Sequence, residues 1–187
     1  MKNNCTRDYI FSLKAPLKSG VHRVMDAIVH GLWLHLVVRK PSHRKRIKSA
    51  TRVFKLLQHP DFRTQPGRFF AYIRKLDPFV FEELLLLGFK SRGLRVVHNT
   101  RYTGDGGIDG VVILPNQQRF AVQAKRYQNT INAQHVSDFG HDLKRHGCSG
   151  GFFIHSGKSG AGVYQRLPDN VMLISGVHLH RLLTVTD

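Results

Sequence analysis

Cysteine is nearly absent from this 187-residue chain: Cys5 and Cys148 stand far apart, and neither has a CxxC partner. That excludes a disulfide framework and a cysteine-based zinc knuckle, and it fits a reducing, cytoplasmic setting. Acidic residues are scarce as well. Twelve Asp+Glu face 29 Lys+Arg, for a formal net charge of +17. So large an excess of one sign calls for a polyanion, nucleic acid before an acidic membrane surface. A long hydrophobic run is also missing. The apolar stretch from Val24 to Val38 falls short of the roughly 20 residues that span a bilayer, and His30, His35 and Asp26 interrupt it. What remains is 41% hydrophobic, ample for a packed core and too much for a disordered chain.

The charge is unevenly placed. Residues 1–75 hold 17 Lys+Arg against 3 Asp+Glu, whereas residues 76–187 hold 12 against 9. The sequence therefore divides into a basic, mostly helical N-terminal region (1–75) and a nearly balanced domain (76–187). Residues 1–20 read as a frayed lead-in. From Val21 a helical period begins, with Val21, Val24, Met25, Ile28, Leu32 and Leu36 on one face. We read 24–38 as an amphipathic helix that packs on a partner helix; a membrane anchor with a basic flank is the competing reading. The run Arg44, Lys45, Arg46 and Lys48 suits DNA-backbone contact, which carries no sequence preference and weakens steeply with salt. No helix-turn-helix, zinc-finger or homeodomain pattern accompanies it, so base readout does not follow.

In the second region, Pro78 to Gly93 reads as a buried helix that carries Glu82 and Glu83 near its start, with Gly93 as its C-cap. Residues 94–98 read as a short strand. The turn Gly104-Asp105-Gly106-Gly107-Ile108-Asp109-Gly110 follows, and leads into the strand Val111–Leu114. Arg119–Tyr127 is the return strand, with Phe120 and Val122 on a single buried face and Ala121, Gln123 and Lys125 on the other. Such a hairpin brings Asp109 beside Gln123-Ala124-Lys125. Phosphodiester hydrolysis needs a divalent metal held by oxygens, a polarised water, and a cation beside the developing charge. Asp109, the Gln123 side-chain carbonyl, the Ala124 backbone carbonyl and Glu82 can supply the oxygens, and Lys125 the cation.

These blocks resemble the Mrr-like branch of the restriction-endonuclease superfamily. Its signature is a helix bearing Phe-Glu, an Asp-Gly-Gly-x-Asp turn and Gln-x-Lys, present here as Phe81-Glu82, Asp105–Asp109 and Gln123-Ala124-Lys125, extended by Arg126-Tyr127. The resemblance covers about residues 76–183. It implies an α/β fold, a restriction-endonuclease-like mixed sheet flanked by helices, and a metal-dependent DNA endonuclease that restricts foreign or modified DNA. Its implied site is Asp109, Gln123 and Lys125 with Glu82 added, using Mg2+ with Mn2+ as the alternative. The neutral Gln123 carbonyl holds a metal less strongly than a carboxylate, so weak affinity without DNA is expected. The competing function is a catalytically silent DNA-binding or membrane-tethered accessory protein.

Other patterns carry less. Gly157-Lys158-Ser159 lacks the upstream glycine of a P-loop, since position 152 is Phe. The loop around Lys158 is instead read as a DNA-phosphate contact through Lys158 and open backbone N–H groups, with Arg126 as a further DNA ligand. Twelve histidines include no HExxH spacing, and no role follows for His98, His135 or His141. The partner expected is double-stranded DNA. Cutting both strands needs two active centres, hence a homodimer or two independent nicks.

Overall fold

The computed structural model describes residues 41–98 and 107–184. The lead-in, the helix expected from Val21, the 24–38 stretch, and Asp105-Gly106 of the glycine-rich turn lie outside the described residues. Within them no helix is long and apolar enough to cross a membrane.

The elements run α1 (Pro41–Leu57), α2 (Pro60–Thr64), α3 (Pro66–Ile73), α4 (Pro78–Ser91), β1 (Arg95–His98), β2 (Gly110–Ile113), β3 (Arg119–Lys125), α5 (Ala133–Arg145), β4 (Gly150–His155), α6 (Ala161–Gln165), β5 (Val171–Ile174) and α7 (Gly176–Leu183). The five strands form one sheet in sequence order. β1, β2 and β3 pair antiparallel; β3, β4 and β5 pair parallel. Adjacent parallel strands require crossovers, which α5 and α6 provide. This is the mixed sheet with flanking helices expected of a restriction-endonuclease-like α/β fold.

Local chemistry sets the helix that matters most. Asp77 caps α4, its Oδ1 accepting from the N–H groups of Phe79 (3.0 Å) and Val80 (3.1 Å), and Pro78 occupies the first turn. Gly93, at φ +82°, follows the helix end in the left-handed region that glycine adopts freely. The face between these ends is apolar, and Phe81, Leu84, Leu85 and Phe89 are at most 1% exposed.

Two apolar clusters sandwich the sheet. One joins α1, α3, α4 and α7 to Val112, Phe120, Val122 and Phe152; the other joins α5 to Val111, Ala121, Phe153 and Leu173. β3 is therefore covered on both faces, not on the single face expected from its alternation. The parallel half of the sheet brings α5 over the Ala121 side, as a parallel sheet with helical crossovers requires.

The first cluster also crosses position 75. Ala50, Val53, Leu57, Phe69 and Ile73 share it with Val80, Leu84 and Phe89. Charge divides the chain there, and packing does not. In α1 the buried residues His43, Ile47, Ala50, Val53 and Leu57 recur at helical spacing, leaving Lys45, Lys48, Arg52 and Lys55 outward.

Candidate active site

The sequence blocks converge at one end of the hairpin. Gly110 pairs with Val122, which sets Asp109, immediately before it, beside the C-terminal half of β3. The Ala124 N–H donates to Asp109 Oδ2 at 2.6 Å, and the Asp109 N–H donates to the Val122 carbonyl at 2.7 Å. The acid is thus held at both backbone and side chain. Gly110 allows α4 to come close: a Cβ there would stand 2.9 Å from Leu86 Cδ2 and 3.1 Å from the Val97 carbonyl.

α4 delivers Glu82 to the same place, half-buried. Its carboxyl pKa is raised from 4.5 to about 8, first by burial and then by the negative charges of Asp109 and Glu83; Lys125 and Arg46 oppose the shift. Two carboxylates share a poorly solvated corner that one ammonium does not neutralise.

Gln123 is 7% exposed. Its Nε2 donates to the Gly107 carbonyl, which orients the amide, and its Oε1 is buried with no hydrogen-bond donor among the described residues. An orphaned carbonyl oxygen on β3 and two crowded carboxylates are donors suited to a hard divalent cation, for which oxygen ligands are preferred. The donor chemistry of Asp109, Glu82, Gln123 Oε1 and the Ala124 backbone carbonyl therefore fits such an ion.

A further residue borders the site. A Cβ on Gly107, at φ +88°, would lie 2.9 Å from Asp142 Oδ2 and 3.0 Å from Gln123 Nε2. Asp142, on α5, packs a carboxylate against the same turn and forms an ion pair with Arg145. Nothing in the linear order points to it.

The expected DNA contacts divide into two groups. Lys45 and Lys48 are exposed and Arg44 is half-exposed on the outer side of α1, where they join Arg52 around a shallow groove. Arg46 instead lies over the Phe79 ring, 3.9 Å from its centroid. Arg126 turns inward: its Nη1 donates to the Arg74 carbonyl, while Arg74 Nε donates to the Ser156 carbonyl at 3.0 Å. Lys158 has an exposed side chain, but its N–H donates to the Asn129 carbonyl at 3.0 Å and its carbonyl accepts from Ile131. The open backbone N–H expected at Lys158 is therefore committed to the fold. Gln134 is exposed, its Nε2 donating to Asp138 Oδ1 at 2.8 Å.

Residues 73–183 match the profile of the Mrr-type catalytic domain, described as a restriction endonuclease. The chain belongs to the restriction endonuclease family. No curated protein and no solved structure gives a significant match. Membership implies a DNA nuclease, of a family that is typically metal-dependent. The match spans α4, the whole sheet and α7, so the restriction-endonuclease domain holds every member of the corner just described, and α1 lies ahead of it.

Proposed function

We propose that this protein is a Mg2+-dependent DNA endonuclease that hydrolyses phosphodiester bonds and restricts foreign or modified DNA in the cytoplasm. The observation that carries the reading is the crowding of Glu82 and Asp109 near Lys125, with the orphaned Gln123 Oε1 two residues before Lys125 on β3.

Asp109, Glu82, Gln123 Oε1 and the Ala124 carbonyl would hold Mg2+, or Mn2+ in its place. That ion would supply a water of lowered pKa and positive charge for the phosphate. The chain's own residues do the rest. The Ala124 N–H fixes Asp109 so that its carboxylate is placed before DNA arrives. Lys125 orients the attacking water and offsets the charge that grows on the scissile phosphate. The water oxygen bonds to phosphorus and gives up a proton to bulk solvent, the bond from phosphorus to a sugar oxygen breaks, and the leaving oxygen takes up a proton from solvent. Arg44, Lys45, Lys48 and the exposed side chain of Lys158 contribute phosphate contacts, which position the duplex without reading its sequence.

Purified protein incubated with Mg2+ and either unmodified or methylated plasmid tests the reading. Cleavage that disappears in Asp109→Ala and Lys125→Ala is expected. Full-rate cleavage in either variant removes these assignments. Tight, salt-sensitive binding without nicking under any metal or methylation state replaces the nuclease with a silent DNA-binding protein.

A further inference from the structure

One residue along α4 from Glu82, a different constellation is buried beneath α1. Glu83 is 3% exposed and His43 is 5% exposed. His43 comes from the buried row of α1, Glu83 from α4 and His98 from the end of β1. His98 Nδ1 lies 2.8 Å from Glu83 Oε2, and His43 Nε2 lies 3.5 Å from Glu83 Oε1. One ligand atom from each of the three falls within 4.8 Å of the others.

We propose that His43, Glu83 and His98 form a second metal site, for zinc or a similar borderline divalent cation, which ties α1 to α4 and β1. Two features support it. The first is geometry. Bonds of about 2.0–2.1 Å in a tetrahedral array place neighbouring donors about 3.3 Å apart, and one donor atom from each residue already lies within 4.8 Å of the others. The second is donor chemistry. Two imidazoles and one carboxylate suit Zn2+, and they disfavour Mg2+ and Ca2+, which take oxygen.

The three ligands come from elements distant in sequence, which is the arrangement of a structural clamp. The ion would fasten the basic helix to the helix that carries Glu82. The donor set shares no side chain with the nuclease corner, so either site can fail without the other.

The full chain, stripped with a chelator and held in excess Mg2+, is titrated with Co2+ as a spectroscopic substitute for Zn2+. The expected result is one equivalent bound with the intense visible absorption of a low-coordinate site, displaced by Zn2+, together with a raised melting temperature. His43→Gln and His98→Gln are each expected to weaken binding roughly 10–100-fold, at least the cost of losing a supporting group around a metal. Asp109→Ala is expected to retain the full spectrum, which separates this site from the nuclease centre. Circular dichroism establishes that each variant is folded; should His98→Gln not fold, His43→Gln and the wild-type stoichiometry still decide. No Co2+ absorption and no Zn2+-dependent melting shift in the wild type would overturn the proposal and leave a buried His–Glu–His hydrogen-bond network. An unaltered spectrum in folded His43→Gln, or several equivalents bound at scattered surface histidines, would overturn it equally.

Discussion

Glu82 and Glu83 are neighbours in the chain and strangers in the fold. About 100° of helical rotation separates them. Glu82 turns toward Asp109 and Lys125 and keeps its proton up to a pKa of about 8; Glu83 turns under α1 and meets two imidazoles. The same side chain is thus placed once among acids and once among bases. A carboxylate among acids resists ionisation until a cation arrives, whereas one among imidazoles already has hydrogen-bond donors. Chemistry at these positions follows from the company each keeps.

The sharpest way to break this comparison is kinetic. Asp109→Ala and Lys125→Ala should lower plasmid cleavage on the order of a thousand-fold, the scale of losing a group that stabilises developing charge. Folded Glu83→Gln should stay within about ten-fold of wild type in the same nicking assay. Equal losses in Glu83→Gln and Asp109→Ala would merge the two environments into one.

Stability should show the opposite order. Glu83→Ala strips His43 and His98 of their shared carboxylate, and urea unfolding of the metal-free chain should register a loss of about 3 kcal/mol, as for a broken buried pair. Glu82→Gln should not destabilise at pH 8, because it removes a charge that Asp109 repels.

The pH dependence then isolates Glu82. Its folded pKa lies above its unfolded value, so the folded state binds the extra proton between pH 4.5 and about 8. Its contribution to stability is complete below 4.5 and disappears as pH rises through 8. Thermal melts of metal-free protein should decline over that window, and Glu82→Gln should flatten the decline. Mg2+ should do so as well, by favouring the ionised form. A profile unchanged by Glu82→Gln would show that Glu82 is not the group that titrates in this window.

Smaller effects test the surroundings. Gly107→Ala should cost about 1 kcal/mol, from a left-handed backbone and a Cβ crowding Asp142 and Gln123, and chemical denaturation would read it. Least of all, Lys45→Ala and Lys48→Ala should each reduce the salt slope of DNA binding by about 1, measured by fluorescence anisotropy, without altering where the DNA is cut.

The placement of Asp109 beside the C-terminal half of β3 was legible in the sequence because a short hairpin dictates it: glycines before β2 and a polar turn after it bring the two strands into register. Helix α4 was equally plain, with Asp77-Pro78 at one end and Gly93 at the other. Double burial of β3 was not, because it depends on α5, which arrives later in the chain. Alanine at 121 and glutamine at 123 give no apolar signal for that face. In α1, five basic residues between His43 and Val53 concealed the buried row His43, Ile47, Ala50 and Val53. His98 gained a role only when β1 was set against α4 and α1, a proximity that no local pattern encodes. The division at residue 75 was real for charge, which records what faces solvent, and silent about which side chains share a core.

The candidate catalytic groups fall between positions 82 and 125, ahead of β4 and β5. Antiparallel pairing of β2 with β3 closes a short loop, whereas β4 and β5 must await their crossover helices. The candidate groups thus sit on a helix and a hairpin, and the later half of the domain acts as the buttress that keeps Gln123 dry. Changes in that buttress, in α5, α6 or β5, would leave the register of β2 against β3 untouched.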